Sequence, residues 1–281
     1  MTHYQHLFPL YPSVHTGKPI RAILSTRSSD KVGNAVGIIV VEEEARQRIL
    51  EAGKQKYPGK AWYYEHRKTG PGLASACGTC QLGLAGKCYV QSNVQNSSQP
   101  GAAIFDDEFE SGIRRAIFKS GWVRSAIAGD MGSLPAEAFF EVKQFIERAR
   151  SDAKWLGYTH NHEATHLQGT HVLSVDSWVH ATQASGWRTF TAISPYDAEM
   201  MGGKIVLEPN EFLCPASKEF FAVTGRKVKC EDCGVCTGTD RIPNKRTPVI
   251  LRHGMGDNRA FKKLGVVNIF NHRGRLVGRL G

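Results

Sequence analysis

Seven cysteines are the side chains of this 281-residue sequence best suited to metal or redox chemistry. An odd number cannot pair completely into disulfides, and clustered cysteines in a chain without a secretory signal are more typical of metal ligands. A group of three, Cys77, Cys80 and Cys88, has the spacing C-x2-C-x7-C. The other four are Cys214, Cys230, Cys233 and Cys236. The sequence therefore predicts two metal centres that differ in their number of thiolate ligands.

The group of four supplies a complete set of thiolates for one centre. Three of its cysteines follow each other at intervals of three residues, and the remote one, Cys214, precedes Pro215. Three closely spaced cysteines with a remote Cys-Pro are typical of [4Fe–4S] ligation. A structural zinc ion on four cysteines is the alternative, although zinc ligands usually come as two C-x2-C pairs. We therefore predict a [4Fe–4S] cluster here, with zinc as the second interpretation.

The group of three leaves one coordination position without a cysteine. His66 lies near it in the sequence and would complete a zinc site of three cysteines and one histidine. Alternatively the position stays open, and a [4Fe–4S] cluster on three cysteines then has one iron free to bind a small molecule. Radical SAM enzymes use such an iron to bind the amino and carboxylate groups of S-adenosylmethionine. Their usual spacing is C-x3-C-x2-C, so this chain departs from their pattern while keeping its ligand number.

A separate motif, HEATH at residues 162–166, fits the H-E-x-x-H pattern of zinc peptidases. On an α-helix, His162 and His166 would share one face, with Glu163 as general base. The sequence around the motif leaves room for a short helix only, and no third ligand is evident. A histidine lining a pocket at a strand end, or plain surface histidines, are the alternatives.

The composition is that of a basic globular protein. Hydrophobic residues make up 41% and charged residues 22%, and 36 basic against 26 acidic side chains give a formal charge of +10. This charge favours an anionic partner such as DNA or RNA, and the basic residues are densest in the C-terminal tail. Their spread along the chain also fits a protein that is merely basic. Without a long apolar run or a signal peptide, we expect a cytoplasmic protein with no membrane partner.

Predicted strands and helices alternate from about residue 109 onward, and this order would position the candidate residues. Strands are expected at 123–130, 155–160, 170–177, 187–194, 204–209 and 247–254. Alternation implies βαβ units, so we predict an α/β fold with a partial or complete (β/α) barrel. Three parts are expected: an N-terminal α+β extension at 1–70, a barrel-like core at 71–256, and a basic C-terminal hairpin at 257–281.

Polar residues follow several of the predicted apolar strands. In a (β/α) barrel, functional side chains lie at the carboxyl ends of strands. The polar positions at such ends are Gly129-Asp130, Thr159-His160, Asp176-Ser177, Ser194 and Arg252-His253-Gly254. We therefore expect a functional mouth at this end of the barrel, although polar residues also end strands without any function.

Seven short segments occur in a fixed order: KTGPGLASACGTCQLGLAGKCYV, AGDMGSLP, GYTH, LSVDS, FLCPAS, CEDCGVCTG and VILRHG. Together they cover roughly residues 68–254, and they resemble an uncharacterised, cysteine-rich family carried by bacteriophages and plasmids that is remotely similar to radical SAM barrels. This resemblance implies a partial (β/α) barrel with a three-cysteine cluster at its mouth and a second, four-cysteine cluster. It also implies that Gly129 and Asp130 bind the methionine amino group of S-adenosylmethionine and that Asp176 and Ser177 contact its ribose.

Three functional hypotheses follow, and whether the protein is an enzyme stays open among them. The first is a radical-SAM-like iron–sulfur protein of a phage or mobile element that modifies a nucleic acid, nucleotide or protein in the host cytoplasm. The second is a non-catalytic protein that binds DNA or RNA, with structural iron–sulfur or zinc centres. The third is the zinc metallopeptidase.

Overall fold

The computed structural model describes residues 4–26, 34–47, 75–76, 109–175, 186–237, 247–252 and 255–281. The three-cysteine group and the predicted ribose contacts Asp176 and Ser177 lie outside these residues, as do His66 and His253-Gly254. The four-cysteine group and Gly129-Asp130 lie within them.

The described chain is mixed α/β, as its alternating pattern predicts. Its strands are β1 (Gln5–Leu7), β2 (Tyr11–Pro12), β3 (Pro19–Ser25), β4 (Val36–Glu42), β5 (Trp122–Ala128), β6 (Lys154–Leu156), β7 (Tyr158–Thr159), β8 (Val172–Val175), β9 (Thr189–Ile193), β10 (Lys204–Val206), β11 (Glu211–Leu213), β12 (Thr247–Leu251), β13 (Val267–Phe270) and β14 (Leu276–Leu280). Its helices are α1 (Glu110–Ser120), α2 (Ala136–Ala149), α3 (Pro195–Met200), α4 (Lys218–Thr224), α5 (Cys230–Cys233) and α6 (Met255–Leu264). Residues 43–47 are also helical.

The first sheet changes from antiparallel to parallel pairing at β4. Its order is β1-β3-β4-β5-β6, with β2 on β3, and the pairs β4–β5 and β5–β6 are parallel. Alternate residues of β4 pack beneath α1 and α2, where Ile38, Ile113 and Phe139 are almost fully buried. Burying such a side chain contributes roughly 2 kcal/mol, so this core holds the ends of β4 and β5 at fixed positions.

The second sheet is parallel throughout its described strands. Its order is β11-β12-β9-β8-β7, and every neighbouring pair is parallel. Only Gly157 separates β6 of the first sheet from β7 of the second, so one extended segment takes part in both sheets. A Cβ atom at Gly157 would lie 2.0 Å from Ser125 Oγ, which explains why a glycine occupies this break.

The third sheet joins β10 to the C-terminal hairpin. Strand β10 pairs in parallel with β13, which pairs in antiparallel fashion with β14. A hairpin is therefore present over residues 267–280, whereas the first part of the segment expected to form it, 257–264, belongs to helix α6. Strand β10 belongs to a different sheet from its predicted neighbours. The reason lies in its side chains: Ile205 is buried while Lys204 and Val206 are exposed, a pattern that fits a sheet covered on one face rather than on both.

The barrel stays a prediction, since the strands in the described part of the chain form three separate open sheets. The division into three parts likewise stays a prediction. Strand β4, from the predicted N-terminal extension, pairs directly with β5 of the predicted core. Among the described helices, none combines the length and apolar character needed to cross a membrane.

Candidate functional site

Asp130 links the residues that follow β5 to those that follow β7. Its Oδ2 accepts a hydrogen bond from the His160 backbone N–H at 2.7 Å, and its Oδ1 accepts one from the Gly132 N–H at 2.8 Å. His160 Nδ1 lies 3.6 Å from the same Oδ2. The residue is only 4% exposed, and these donors compensate for removing its charge from water. Two polar strand ends singled out in the sequence are therefore in direct contact.

Burial and hydrogen bonding act on the pKa of Asp130 in opposite directions. Desolvation raises this pKa, while the hydrogen bond and the charge of His160 lower it, and the net result is a pKa below the ordinary value. The carboxylate is therefore ionised at neutral pH. A side-chain hydrogen bond from Thr159 lowers the pKa of Asp130 as well, so the strand end carries a negative charge.

Gly129 allows this strand end to approach β4 closely. Its backbone has a φ of +74°, in the region that favours glycine. A Cβ atom there would lie 2.2 Å from the carbonyl oxygen of Val40. Any side chain at this position would therefore have to separate the ends of β4 and β5.

Ser75 and Ala76, the residues that precede Cys77 in the sequence, bind at the same edge of the first sheet. The Ala76 carbonyl accepts a hydrogen bond from the Asp130 N–H at 2.6 Å. The Ser75 hydroxyl donates to the carboxylate of Glu42, the last residue of β4. The chain just before the first cysteine group is thus attached to the carboxyl ends of two adjacent parallel strands.

Two other predicted strand ends have partners that account for their residue types. The Ser194 hydroxyl accepts from the Asp197 N–H at 3.1 Å, and the Asp197 carboxylate accepts from the Ser194 N–H at 3.0 Å, which is a capping box at the start of α3. Arg252 donates two hydrogen bonds to Asp257, from Nε at 2.9 Å and from Nη2 at 3.1 Å. Both contacts stabilise the fold without a ligand.

The HEATH segment forms a turn and a short 3-10 helix. The 3-10 helix spans Thr165–Leu167. The Glu163 N–H donates to Asn161 Oδ1 at 3.0 Å, and the His162 carbonyl accepts from Trp187 Nε1 at 3.0 Å. The segment therefore lacks the α-helical turn that would bring both histidines onto one face.

The four-cysteine group draws its thiols from two separate parts of the chain. Cys214 follows β11, and its N–H donates to the Val249 carbonyl of β12 at 2.8 Å. Cys230 and Cys233 are the first and last residues of α5, and Cys236 lies three residues beyond it. All four cysteine side chains are partly buried.

Backbone and apolar contacts attach this group to the two parallel sheets. The Cys236 carbonyl accepts from the Gly157 N–H at 3.3 Å, at the break between β6 and β7. Cys230 packs with Ala35, Trp122 and Leu156. Ala35 directly precedes β4 and Trp122 begins β5, so Cys230 lies near the amino ends of these strands.

The Cys236 thiol responds to the charges of the other three cysteines. Burial raises the pKa of Cys236 well above the ordinary value, the charges of Cys214, Cys230 and Cys233 raise it further, and Arg188 lowers it. Charges of like sign have this effect only over short distances in a buried place, so the four sulfurs share one region. Burial is also the main cause of the raised pKa of Cys233. Thiols of this kind ionise when a metal centre supplies positive charge, and they then release protons.

Within the described residues, no three histidine, cysteine, aspartate or glutamate side chains converge closely enough to hold a metal ion.

The sequence reasoning missed several side chains near these sites. Arg124 donates to the Tyr158 hydroxyl at 2.8 Å, and the Tyr158 ring stacks on Phe190 with centroids 5.5 Å apart. Arg124 is a charged residue within an apolar predicted strand, and that pattern indicates a paired charge. Arg188, whose charge lowers the pKa of Cys236, has no sequence pattern around it that would have predicted this contact.

A second missed feature is a buried polar pair beneath Gly157. His171 is 1% exposed, its Nδ1 lies 2.8 Å from Thr170 Oγ1, and burial lowers its pKa to about 4. A Cβ atom at Gly157 would lie 2.8 Å from His171 Nε2 and 2.0 Å from Ser125 Oγ, so both polar atoms face one small space. Among the described residues neither atom has a hydrogen-bond partner.

No protein-family model matches this chain, and neither the curated proteins nor the solved structures contain a significantly similar one.

Proposed function

We propose that this chain is an iron–sulfur protein of radical-SAM-like type. Cys214, Cys230, Cys233 and Cys236 would hold a [4Fe–4S] cluster with all four irons bound, and Cys77, Cys80 and Cys88 would hold a second cluster with one open iron. The supporting observation is that the Cys214 thiol lies close enough to Cys236 for its charge to act there, although the two are distant in sequence. Four interacting thiols in a partly buried region favour a cationic centre, because their thiolate forms repel one another without one.

A partial (β/α) barrel is the architecture that we propose around these centres. Parallel pairing runs through β4, β5 and β6, and again through β7, β8, β9, β12 and β11. The two runs meet at Gly157. A barrel built from them would place Ala76 and Asp130 at the carboxyl ends of its strands, where (β/α) barrels carry their active sites.

In this proposal, the strand end at Gly129-Asp130 prepares a site for S-adenosylmethionine. When bound to a reduced open cluster, this cofactor would supply radical chemistry. Gly129 lets the strand ends approach, and the ionised Asp130 would attract the methionine ammonium group. Asp176 and Ser177 are the proposed ribose contacts. The formal charge of +10 favours a nucleic acid over a nucleotide or a protein as the substrate.

Metal analysis after anaerobic purification tests this proposal. We expect about eight irons and eight sulfides per chain, which is the content of two [4Fe–4S] clusters. Cys233→Ala and Cys88→Ala should each lower both contents by about half, and Cys233→Ala should cost more stability because its cluster orders a loop between two sheets. Met200→Ala, which changes an exposed sulfur-containing side chain, is the matched control and should leave the contents unchanged.

Two results would contradict the iron–sulfur assignment. One zinc ion per chain without sulfide would favour the second candidate, a non-catalytic nucleic-acid-binding protein with a structural metal. Equal metal contents in the native protein and both cysteine variants would show that these cysteines do not bind metal. The peptidase hypothesis receives no support from the geometry of residues 162–167.

A further inference from the structure

The outer face of the third sheet combines basic and apolar side chains in two rows. The inner face is closed, because Ile205, Val267 and Ile269 are fully buried in the core beneath it. Strand register places residues of β10, β13 and β14 side by side in two rows. The first row is Lys204, Asn268 and Arg279, and the second is Val206, Phe270 and Leu276. Since side chains alternate between faces, these two rows lie on the outside of the sheet.

Measured contacts and exposure agree with that orientation. Lys204 Nζ lies 5.4 Å from the centre of the Phe270 ring, so both side chains are on the same face. Lys204 and Arg279 are exposed, Val206 is 49% exposed and Phe270 is partly exposed. An aromatic ring therefore lies at the surface with a cation over it and another on the adjacent strand.

The hairpin turn adds two arginines in a fixed conformation. Asn271 Oδ1 accepts hydrogen bonds from the backbone N–H groups of Arg273 at 3.0 Å and Arg275 at 2.9 Å. Gly274, with a φ of +75°, completes the turn. Both arginine residues are exposed. Two exposed cations thus lie in the turn that joins β13 to β14, and hydrogen bonds hold the backbone of that turn.

The charge of this part of the chain is of one sign. Residues 258–281 contain six arginines and lysines and no aspartate or glutamate. Glu208, which follows β10, is an exposed acid. It lies near the edge of the sheet, since the N–H of its neighbour Leu207 donates to the Phe270 carbonyl of β13 at 2.9 Å. Lys204, Arg273, Arg275 and Arg279 outnumber it on this surface.

We propose that the outer face of the third sheet, formed by Lys204, Asn268, Phe270 and Arg279 with the turn arginines Arg273 and Arg275, binds a single-stranded nucleic acid. Cations along a sheet suit the phosphate backbone, and a partly exposed ring at the surface suits an unstacked base. A duplex has no free base face to offer the ring. This inference rests on the proposed action on nucleic acid, but it involves none of the cysteines.

Fluorescence anisotropy with labelled 20-nucleotide strands tests the surface. RNA and DNA strands of one sequence, and the corresponding duplexes, are titrated with the full-length protein at several salt concentrations. Arg273→Gln/Arg275→Gln should weaken single-strand binding at least tenfold at low salt and reduce the slope of log K against log salt by about 1.4, or 0.7 per lost phosphate contact. Phe270→Leu should weaken binding by about fivefold to a hundredfold and leave the slope unchanged.

The matched control is Arg115→Gln/Lys119→Gln, which removes the same charge from an exposed part of α1. It should bind like the native protein. An equal loss in the control would show that binding follows overall charge and would overturn the proposal, as would equal or tighter binding of duplexes. Binding of anionic vesicles but not of either strand would also overturn it. Iron and sulfide contents measured on the same samples separate a failure of this surface from a failure of the cluster assignment.

Discussion

The buried histidine His171 gives a quantitative prediction about stability and pH. Burial lowers its pKa from 6.5 to about 4, with the nearby charge of His166 acting in the same direction and that of Asp130 opposing it. In the unfolded chain the side chain regains a pKa near 6.5. The unfolded state therefore binds a proton more readily than the folded state, so stability falls as pH falls from about 6.5 towards 4. At about 1.4 kcal/mol per pH unit, the loss amounts to about 3 kcal/mol and then levels off below pH 4.

The assay is urea unfolding followed by circular dichroism at pH values between 7 and 4, for the native protein and for His171→Asn. Asparagine has no proton to gain in this range, so its curve should lack about 3 kcal/mol of the pH dependence. The cavity left by the smaller side chain shifts all values by a similar amount and does not alter the slope. His272→Asn, at an exposed histidine of the hairpin turn, is the control and should keep the native pH dependence.

Parallel curves for the native protein and His171→Asn between pH 6.5 and 4 would refute the reasoning. They would mean that His171 is protonated in the folded state or reaches water there. Other groups do not produce the same difference. Asp130, with its lowered pKa, loses its contribution below its ordinary value of 3.8, and its effect is common to both proteins.

Two substitutions at the strand end complete the predictions. Gly129→Ala should destabilise the protein by about 2–5 kcal/mol in urea unfolding, because its φ is positive and its Cβ would lie 2.2 Å from the Val40 carbonyl oxygen. Gly169→Ala, with a φ of +83° and open space around it, is the control and should cost only about 1–2 kcal/mol. Similar costs for the two variants would contradict the close approach at Gly129. Asp130→Asn should cost about 1.5–3 kcal/mol because it removes a charged acceptor of two backbone N–H groups. Asp152→Asn, at a side chain 73% exposed that pairs only at the surface with Arg150, is the control and should cost clearly less than Asp130→Asn.

Hydrophobic periodicity predicted the longer elements because it is read over many residues. The strand expected at 123–130 is β5 (Trp122–Ala128), and the strand expected at 187–194 is β9 (Thr189–Ile193). Short elements carry too few residues for a period, which is why β11, with three residues, was not predicted. The segment at 155–160 was predicted as one strand, and it divides at Gly157 because the tight contact with Ser125 is not visible in the sequence.

The candidate site was predictable in its residue types more than in its contacts. Asp130 and His160 were both identified as strand ends, yet the hydrogen bond between them depends on the register of two strands that are thirty residues apart. His171 gave no signal, because its lowered pKa arises from surrounding residues that come together only on folding. Contacts of this kind depend on tertiary packing, which single-sequence patterns do not contain.

Two contacts at opposite ends of β4 and β5, one made by Cys230 and one by the residue before Cys77, lead to a last expectation. Cys230 packs beside Ala35 and Trp122, at the amino ends of β4 and β5, whereas Ala76, the residue before Cys77, binds Asp130 at their carboxyl ends. A seven-residue strand such as β4 spans about 23 Å, so these contacts lie at opposite ends of the same sheet. We therefore predict that neither group supplies ligands to the other, and a folded Cys233→Ala protein should keep about four irons. Loss of all iron from such a folded variant would show that the two groups form one centre, and the assignment of two clusters would be wrong.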